Sequence, residues 1–141
     1  MFVDSSYLIG LSNDNDQYHE RAIELAETLE KNKLMITTLH LSEIITGIGS
    51  ISGGKISNEI LEYILDNYII VDGTLKLCID SRDTYLKYDG TLSLADAVAI
   101  TIMKENNVYE IVSFDSDFDG KNGIVRIHWR ISFKKIKNII N

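Results

Sequence analysis

Proline is missing from all 141 residues, and there is one cysteine, Cys78. A single cysteine cannot close an internal disulfide, so the sequence points to a reducing, cytoplasmic compartment. No run approaches the roughly 18 consecutive apolar residues needed to cross a bilayer. The opening segment, MFVDSSYLIG, has no basic flank and carries an acid at position four, which argues against a signal peptide. There is no low-complexity stretch and no repeat of solenoid period. What remains is a chain that is 45% hydrophobic, enough for one compact domain with an ordinary core.

Charge is unevenly placed. The net charge is −7, yet residues 126–141 hold Arg126, Arg130, Lys134, Lys135 and Lys137 and no acid. Residues 1–125 therefore carry 9 of the 14 basic residues and all 21 acids, a balance of −12. An acidic body is a poor partner for nucleic acid unless several acids converge on divalent cations that reverse the local sign.

Helical and extended patterns alternate along the chain. Short apolar runs at Phe2-Val3, Leu34–Thr37, Ile69–Val71, Glu110–Ser113 and Gly123–Ile127 read as five strands. Between them, helical spacing predicts a helix capped by Asp16 and running to about Lys31. Further helices are expected from about Leu39 to Ile48, Ser57 to Tyr68, Leu75 to Tyr88 and Ser93 to Asn106, with Gly53-Gly54 as a break. Such alternation implies an α/β domain with a largely parallel sheet, in which ligands gather beyond the carboxyl ends of the strands.

Four acids stand at informative places, each with an ordinary explanation beside a chemical one. Asp4 directly follows the first strand, where it can be an N-cap. Asp115 follows the fourth strand within Ser113-Phe114-Asp115-Ser116-Asp117-Phe118-Asp119-Gly120. Loops of that composition are usually turns, though three acids alternating over five residues favour a cation. Asp96 projects from an apolar side of its helix, but it has capping-box spacing from Ser93. Glu43 lies opposite the Leu41–Ile44–Ile45–Ile48 stripe, as a solvated acid or a cleft-lining one would.

Two motif matches fail. Residues 49–55 fit G-x-x-x-x-G-K, yet Ile56 stands where a hydroxyl is needed and a helix precedes the segment. The Asp115 loop begins like a calcium loop but has Arg126 at the twelfth position instead of a bidentate Glu. His19, His40 and His128 share no metal-ligand spacing with one another or with Cys78, which points to surface or packing roles for them and an inert core position for Cys78.

The ordered set says more than any member. It has an acid ending the first strand, one on a helix after the second, one opening a late helix and one ending the next strand. With Phe2-Val3-Asp4-Ser5-Ser6, Thr38-Leu39-His40-Leu41-Ser42-Glu43-Ile44, Ser93-Leu94-Ala95-Asp96-Ala97-Val98-Ala99-Ile100 and Ser113-Phe114-Asp115-Ser116-Asp117-Phe118, the chain resembles the PIN-domain nucleases from Phe2 to about Ile127.

The resemblance implies a three-layer α/β/α fold around about five largely parallel strands, over residues 1–128. It implies a Mg²⁺- or Mn²⁺-dependent endoribonuclease with Asp4, Glu43, Asp96 and Asp115 as catalytic residues. Asp4, Asp96 and Asp115 would hold the metal, with Asp117 as an extra ligand and Ser6 and Ser113 in support. Single small members are often toxins of toxin–antitoxin pairs, so a homodimer, a small antitoxin and an RNA substrate are implied partners, with no membrane. An RNA-processing nuclease outside such a pair, or a non-catalytic binding module whose acids are caps and turns, are the alternatives. Residues 129–141 depart from the pattern as a basic amphipathic extension, in which Arg130, Lys134 and Lys135 are candidates for contact with nucleic acid or a partner.

Overall fold

The computed structural model describes residues 1–130. Lys134 and Lys135, and most of the expected extension, lie outside the described residues. Five short strands, β1 (Phe2–Val3), β2 (Met35–Thr37), β3 (Ile69–Val71), β4 (Glu110–Val112) and β5 (Val125–Ile127), form one sheet in the order β3-β2-β1-β4-β5. Every pairing is parallel, with Phe2 in register with Met35 on one side and Ile111 on the other. The expected five-stranded parallel sheet is therefore present.

Because successive side chains on a strand point to opposite faces, the sheet carries two cores. Val3, Ile36 and Val112 face α1 (Ser5–Ser12), α2 (His19–Leu29), α3 (Thr38–Ser52) and α4 (Gly54–Asn67), packing with Leu8, Leu25, Leu29, Ile44, Ile48 and Ile64. Phe2 and Ile111 face the other way, against Ala99, Ile100 and Met103 of α7 (Leu94–Glu105) and against Phe118. This is a three-layer α/β/α domain. No helix among the described residues is long and apolar enough to cross a membrane.

Several element boundaries differ from the sequence expectation for identifiable reasons. Asp16 does not cap α2; its carboxylate accepts the Tyr18 N–H at 2.8 Å in the preceding turn, and the helix begins at His19. The expected helix Leu75–Tyr88 is two, α5 (Leu75–Asp80) and α6 (Arg82–Lys87). At the join, the buried Ser81 hydroxyl bonds back to the Leu77 carbonyl at 2.6 Å and meets Thr101 Oγ1 of α7 at 2.8 Å. Such back-bonding bends helices. Cys78, on α5, is half-buried instead of a core residue. The α3–α4 break falls where expected, with Gly53 at φ +86°, a conformation that favours glycine.

The strand order reverses between β1 and β4. The chain builds outward from β1 through β2 to β3, then crosses back to place β4 on the other flank. A crevice opens beyond the carboxyl ends at such a switch point. Asp4 and Ser113 directly follow the two strands that flank it.

Candidate metal centre

The crevice is stitched together by two serines. Ser6 and Ser113 each donate a hydroxyl hydrogen to Asp4 Oδ2, at 2.6 and 2.8 Å. In return, the Ser6 oxygen accepts the Phe114 N–H and the Ser113 oxygen accepts the Asp115 N–H, both at 3.0 Å. Each hydroxyl thus uses its single hydrogen on the carboxylate and a lone pair on a backbone N–H, Ser6 crossing to the other segment through its lone pair and Ser113 through its hydrogen. The result ties the start of α1 to the loop after β4 and fixes Asp4, which is only 5% exposed. Asp4 also caps α1 by accepting the Ser6 N–H at 3.4 Å. The cap and the cluster are therefore one arrangement, not alternatives.

Asp115 similarly serves twice. It caps the short 3-10 turn Ser116–Phe118 by accepting the Asp117 N–H at 2.9 Å. Its acidity is nonetheless weakened: its pKa is raised by partial burial first, and then by the charges of Asp117, Asp4 and Asp96. Asp4 and Asp96, which the sequence placed on separate segments, therefore lie near enough for their charges to reach Asp115.

Asp96 reaches the same place from α7. Ser93 caps that helix by accepting the Asp96 N–H at 3.1 Å, as the spacing suggested. The Asp96 carboxylate, however, lies 3.2 Å from His40 Nε2. Asp4, His40 and Asp96 each offer a ligand-capable atom, and these atoms lie within 4.8 Å of one another.

His40 is the residue that sequence reasoning missed. It packs in the core, edge-on to Phe2 with ring centroids 5.2 Å apart, but its Nε2 also faces two carboxylates. The available signal was positional: Thr37, at the carboxyl end of β2, caps α3 through the His40 N–H, which fixes His40 on the first turn beside the crevice. The other histidines do stay apart from the cluster. His19 Nδ1 lies 2.9 Å from the Gly10 carbonyl, and His128 stacks on Trp129.

The remaining expected residues sit at the margin. Glu43, one turn along α3 from His40, is exposed and accepts the Ser5 hydroxyl at 3.1 Å, which places it at the rim beside the first turn of α1. Asp117 is exposed on the 3-10 turn, and its carbonyl accepts from Lys121. Asp119 turns away from the cluster. Arg126 grips it with two bonds, at 2.7 and 2.9 Å, and that pairing lowers its pKa. The residue that spoiled the calcium-loop match thus neutralises the loop's third acid. Arg130 pairs with Glu27 of α2 at 3.0 Å, both side chains exposed.

The donor set fits a hard divalent cation. Carboxylate oxygens suit Mg²⁺ or Mn²⁺, and Asp115 has its charged form disfavoured by partial burial and then by its like-charged neighbours, a penalty that a cation relieves. Arg126 comes near Asp115, but its guanidinium fork is taken by Asp119.

Comparison with known proteins fits this geometry. The family model described as the PIN domain matches residues 1–123. No curated protein matches the sequence. Among solved structures, the chain is similar to Mycobacterium tuberculosis VapC20, a sarcin-ricin loop cleaving toxin, with a TM-score of 0.78 and 21% identity over 89% of this chain and 97% of that one. It is also similar to a toxin-antitoxin complex from Klebsiella pneumoniae, with a TM-score of 0.68 and 19% identity over 92% and 98% of the two chains. VapBC2 from Rickettsia felis, bound to a DNA fragment from its promoter, gives a TM-score of 0.67 and 15% identity over the same shares, 92% and 98%. At these identities the structural likenesses speak for the fold.

Proposed function

The chain belongs to the PIN domain family, and from that premise we propose that it is a metal-dependent endoribonuclease, the toxin of a toxin–antitoxin pair. The observation that carries this is the cluster of Asp4, His40 and Asp96 at the β1/β4 switch point, whose ligand-capable atoms lie within 4.8 Å of one another, with Asp115 near enough to feel the charges of both aspartates. The toxin assignment is supported by neighbours of the same fold and nearly the same length, one described as a sarcin-ricin loop cleaving toxin and another as a toxin-antitoxin complex.

Asp4, Asp96 and Asp115 would hold Mg²⁺ or Mn²⁺, with Asp117 at the edge as an additional ligand. A bound cation of this kind supplies charge stabilisation to the scissile phosphate and its leaving oxygen and activates the attacking water. The chain's own residues do the rest. Ser6 and Ser113 hold the Asp4 carboxylate in one orientation, so no reorganisation is needed when substrate arrives. Glu43, at the solvent rim, would orient a water entering the crevice or act on the cation through such a water. The partners are an RNA substrate, a small antitoxin and a second copy of the chain, in the cytoplasm. Residues 1–128 form the nuclease domain. Residues 129–141 are a separate basic extension that contacts RNA or a partner through Lys134 and Lys135, and through Arg130 once Glu27 releases it.

The test is cleavage of a structured RNA pool by wild type and by Asp96→Asn, each with Mn²⁺ and with EDTA. Cutting that requires Mn²⁺ and disappears in the variant is expected. Cutting that persists in EDTA, or in the variant, would refute the mechanism.

A further inference from the structure

His40 is wholly buried, and none of the proposed chemistry uses it. Its Nε2 lies 3.2 Å from Asp96 Oδ1 and 3.7 Å from Asp4 Oδ1, while its Nδ1 lies 2.8 Å from Thr37 Oγ1. Such a histidine has two possible jobs, ligand or donor, and they demand opposite tautomers. A ligand presents a bare Nε2 lone pair to the metal, with the proton on Nδ1. A donor carries the proton on Nε2.

Thr37 decides between them. Its oxygen already accepts the His40 backbone N–H at 3.1 Å as the cap of α3. Its own hydroxyl hydrogen needs an acceptor, because Thr37 is wholly buried and an unpaired buried hydroxyl is costly. Nδ1 is that acceptor, which places the ring proton on Nε2 and aims it at the two carboxylates. The opposite tautomer would set a lone pair against two anionic oxygens.

We propose that His40 is a positioning residue of the metal centre: an Nε2–H donor that fixes the Asp96 carboxylate and softens its repulsion with Asp4, without ligating the cation. The inference rests on the metal-dependent reading above and deepens it. It has a consequence for metal choice. An imidazole ligand would favour zinc and similar borderline ions, whereas a donor histidine leaves an all-oxygen site suited to Mg²⁺ and Mn²⁺.

The experiment is Mn²⁺ binding by calorimetry and by electron paramagnetic resonance on wild type, His40→Gln, His40→Leu and Asp96→Asn. Wild type is expected to bind Mn²⁺ with no direct ¹⁴N coupling to the ion. His40→Gln, which keeps an N–H donor of similar reach, retains that affinity. His40→Leu, which fits the apolar surroundings of Phe2 but donates nothing, loses about 10–100-fold, the usual cost of removing a partner that orients a ligand. A purely structural role for the ring would move neither the affinity nor the coupling. Long-range ¹H–¹⁵N correlation on the unmutated protein reads the tautomer directly, should His40→Leu fail to fold; a protonated Nε2 is expected.

A ¹⁴N ligand signal, a protonated Nδ1 in the neutral ring, or His40→Leu binding like wild type each overturns the inference. If Asp96→Asn abolishes Mn²⁺ binding while His40→Leu does not, the metal reading stands and the role of His40 falls. If wild type binds no Mn²⁺, both fall.

Discussion

Replacing Ser113 by alanine removes one oxygen that serves two segments. The hydroxyl is wholly buried, donates to the Asp4 carboxylate at 2.8 Å and accepts the Asp115 N–H at 3.0 Å. Losing a hydrogen bond to a charged group costs about 1.5–3 kcal/mol. Stranding the Asp115 N–H adds roughly 1 kcal/mol, the low end for an unsatisfied donor, since that residue is half-buried and water can reach it in part. Asp4 keeps its bonds from Ser6, which limits the damage. The expected loss is about 3 kcal/mol. With a urea m-value of about 2 kcal/mol/M, the midpoint falls by about 1.5 M at unchanged m. The control is Ser5→Ala, which removes a hydroxyl whose side-chain partner among the described residues is the exposed Glu43. That change should stay within about 0.5 kcal/mol. Equal effects for the two serines, or a Ser113→Ala shift as small as the control, would refute the idea that the stitch across β1 and β4 holds the crevice together.

Three further outcomes are expected. Asp115→Asn keeps the cap on the 3-10 turn, because asparagine caps as well as aspartate, and removes a charge that its neighbours oppose. Since the folded pKa lies above the unfolded one, ionisation of Asp115 destabilises the fold increasingly as pH rises through the folded value, and has no effect below the unfolded value. The metal-free variant should therefore melt above wild type at pH 7 and match it in strong acid. Wild type alone should gain about 2.7 kcal/mol in Mn²⁺ at a hundred times its dissociation constant, and calorimetric scans with and without the ion decide this. Arg126→Ala should release Asp119 from the pairing that lowers its pKa, so the Asp119 carboxyl resonance titrates at higher pH by NMR. Gly73→Ala should destabilise by about 1–3 kcal/mol, because a Cβ there would stand 2.7 Å from Leu39 Cγ, whereas Gly54→Ala, with nothing within 4 Å, should stabilise by about 0.4–1 kcal/mol in the same denaturation assay.

The sheet was legible because each strand is short, apolar and bounded by a polar turn or a cap. Asp4, Asp96 and Asp115 were legible as an ordered set, although each alone had a cap or turn to explain it. The structure shows why that ambiguity could not be resolved one residue at a time. Asp4 and Asp115 really are caps, and Asp4 belongs at the same time to the cluster with His40 and Asp96. What the sequence hid was lateral. His40 looks like any core residue on a helix, because periodicity reports which face is buried and not what the far nitrogen meets across 56 residues of chain. The break at Ser81 is equally silent, since the helical spacing runs through it and only a back-bonded hydroxyl interrupts the ladder.

The centre of the sheet is made first and completed last. β1 emerges at the start of synthesis, yet its β4 neighbour is residues 110–112, and the Ser113 hydroxyl that holds Asp4 lies 109 positions downstream of it. Vectorial synthesis thus leaves Asp4 with its neighbour Ser6 but without its Ser113 donor until late in the making of the domain. A product ending before residue 113 carries Asp4, Ser6 and Asp96 but lacks Ser113, the second serine on Asp4, and Asp115. The proposed site therefore comes together only after residue 115 has been made, near the end of the synthesis of this sheet.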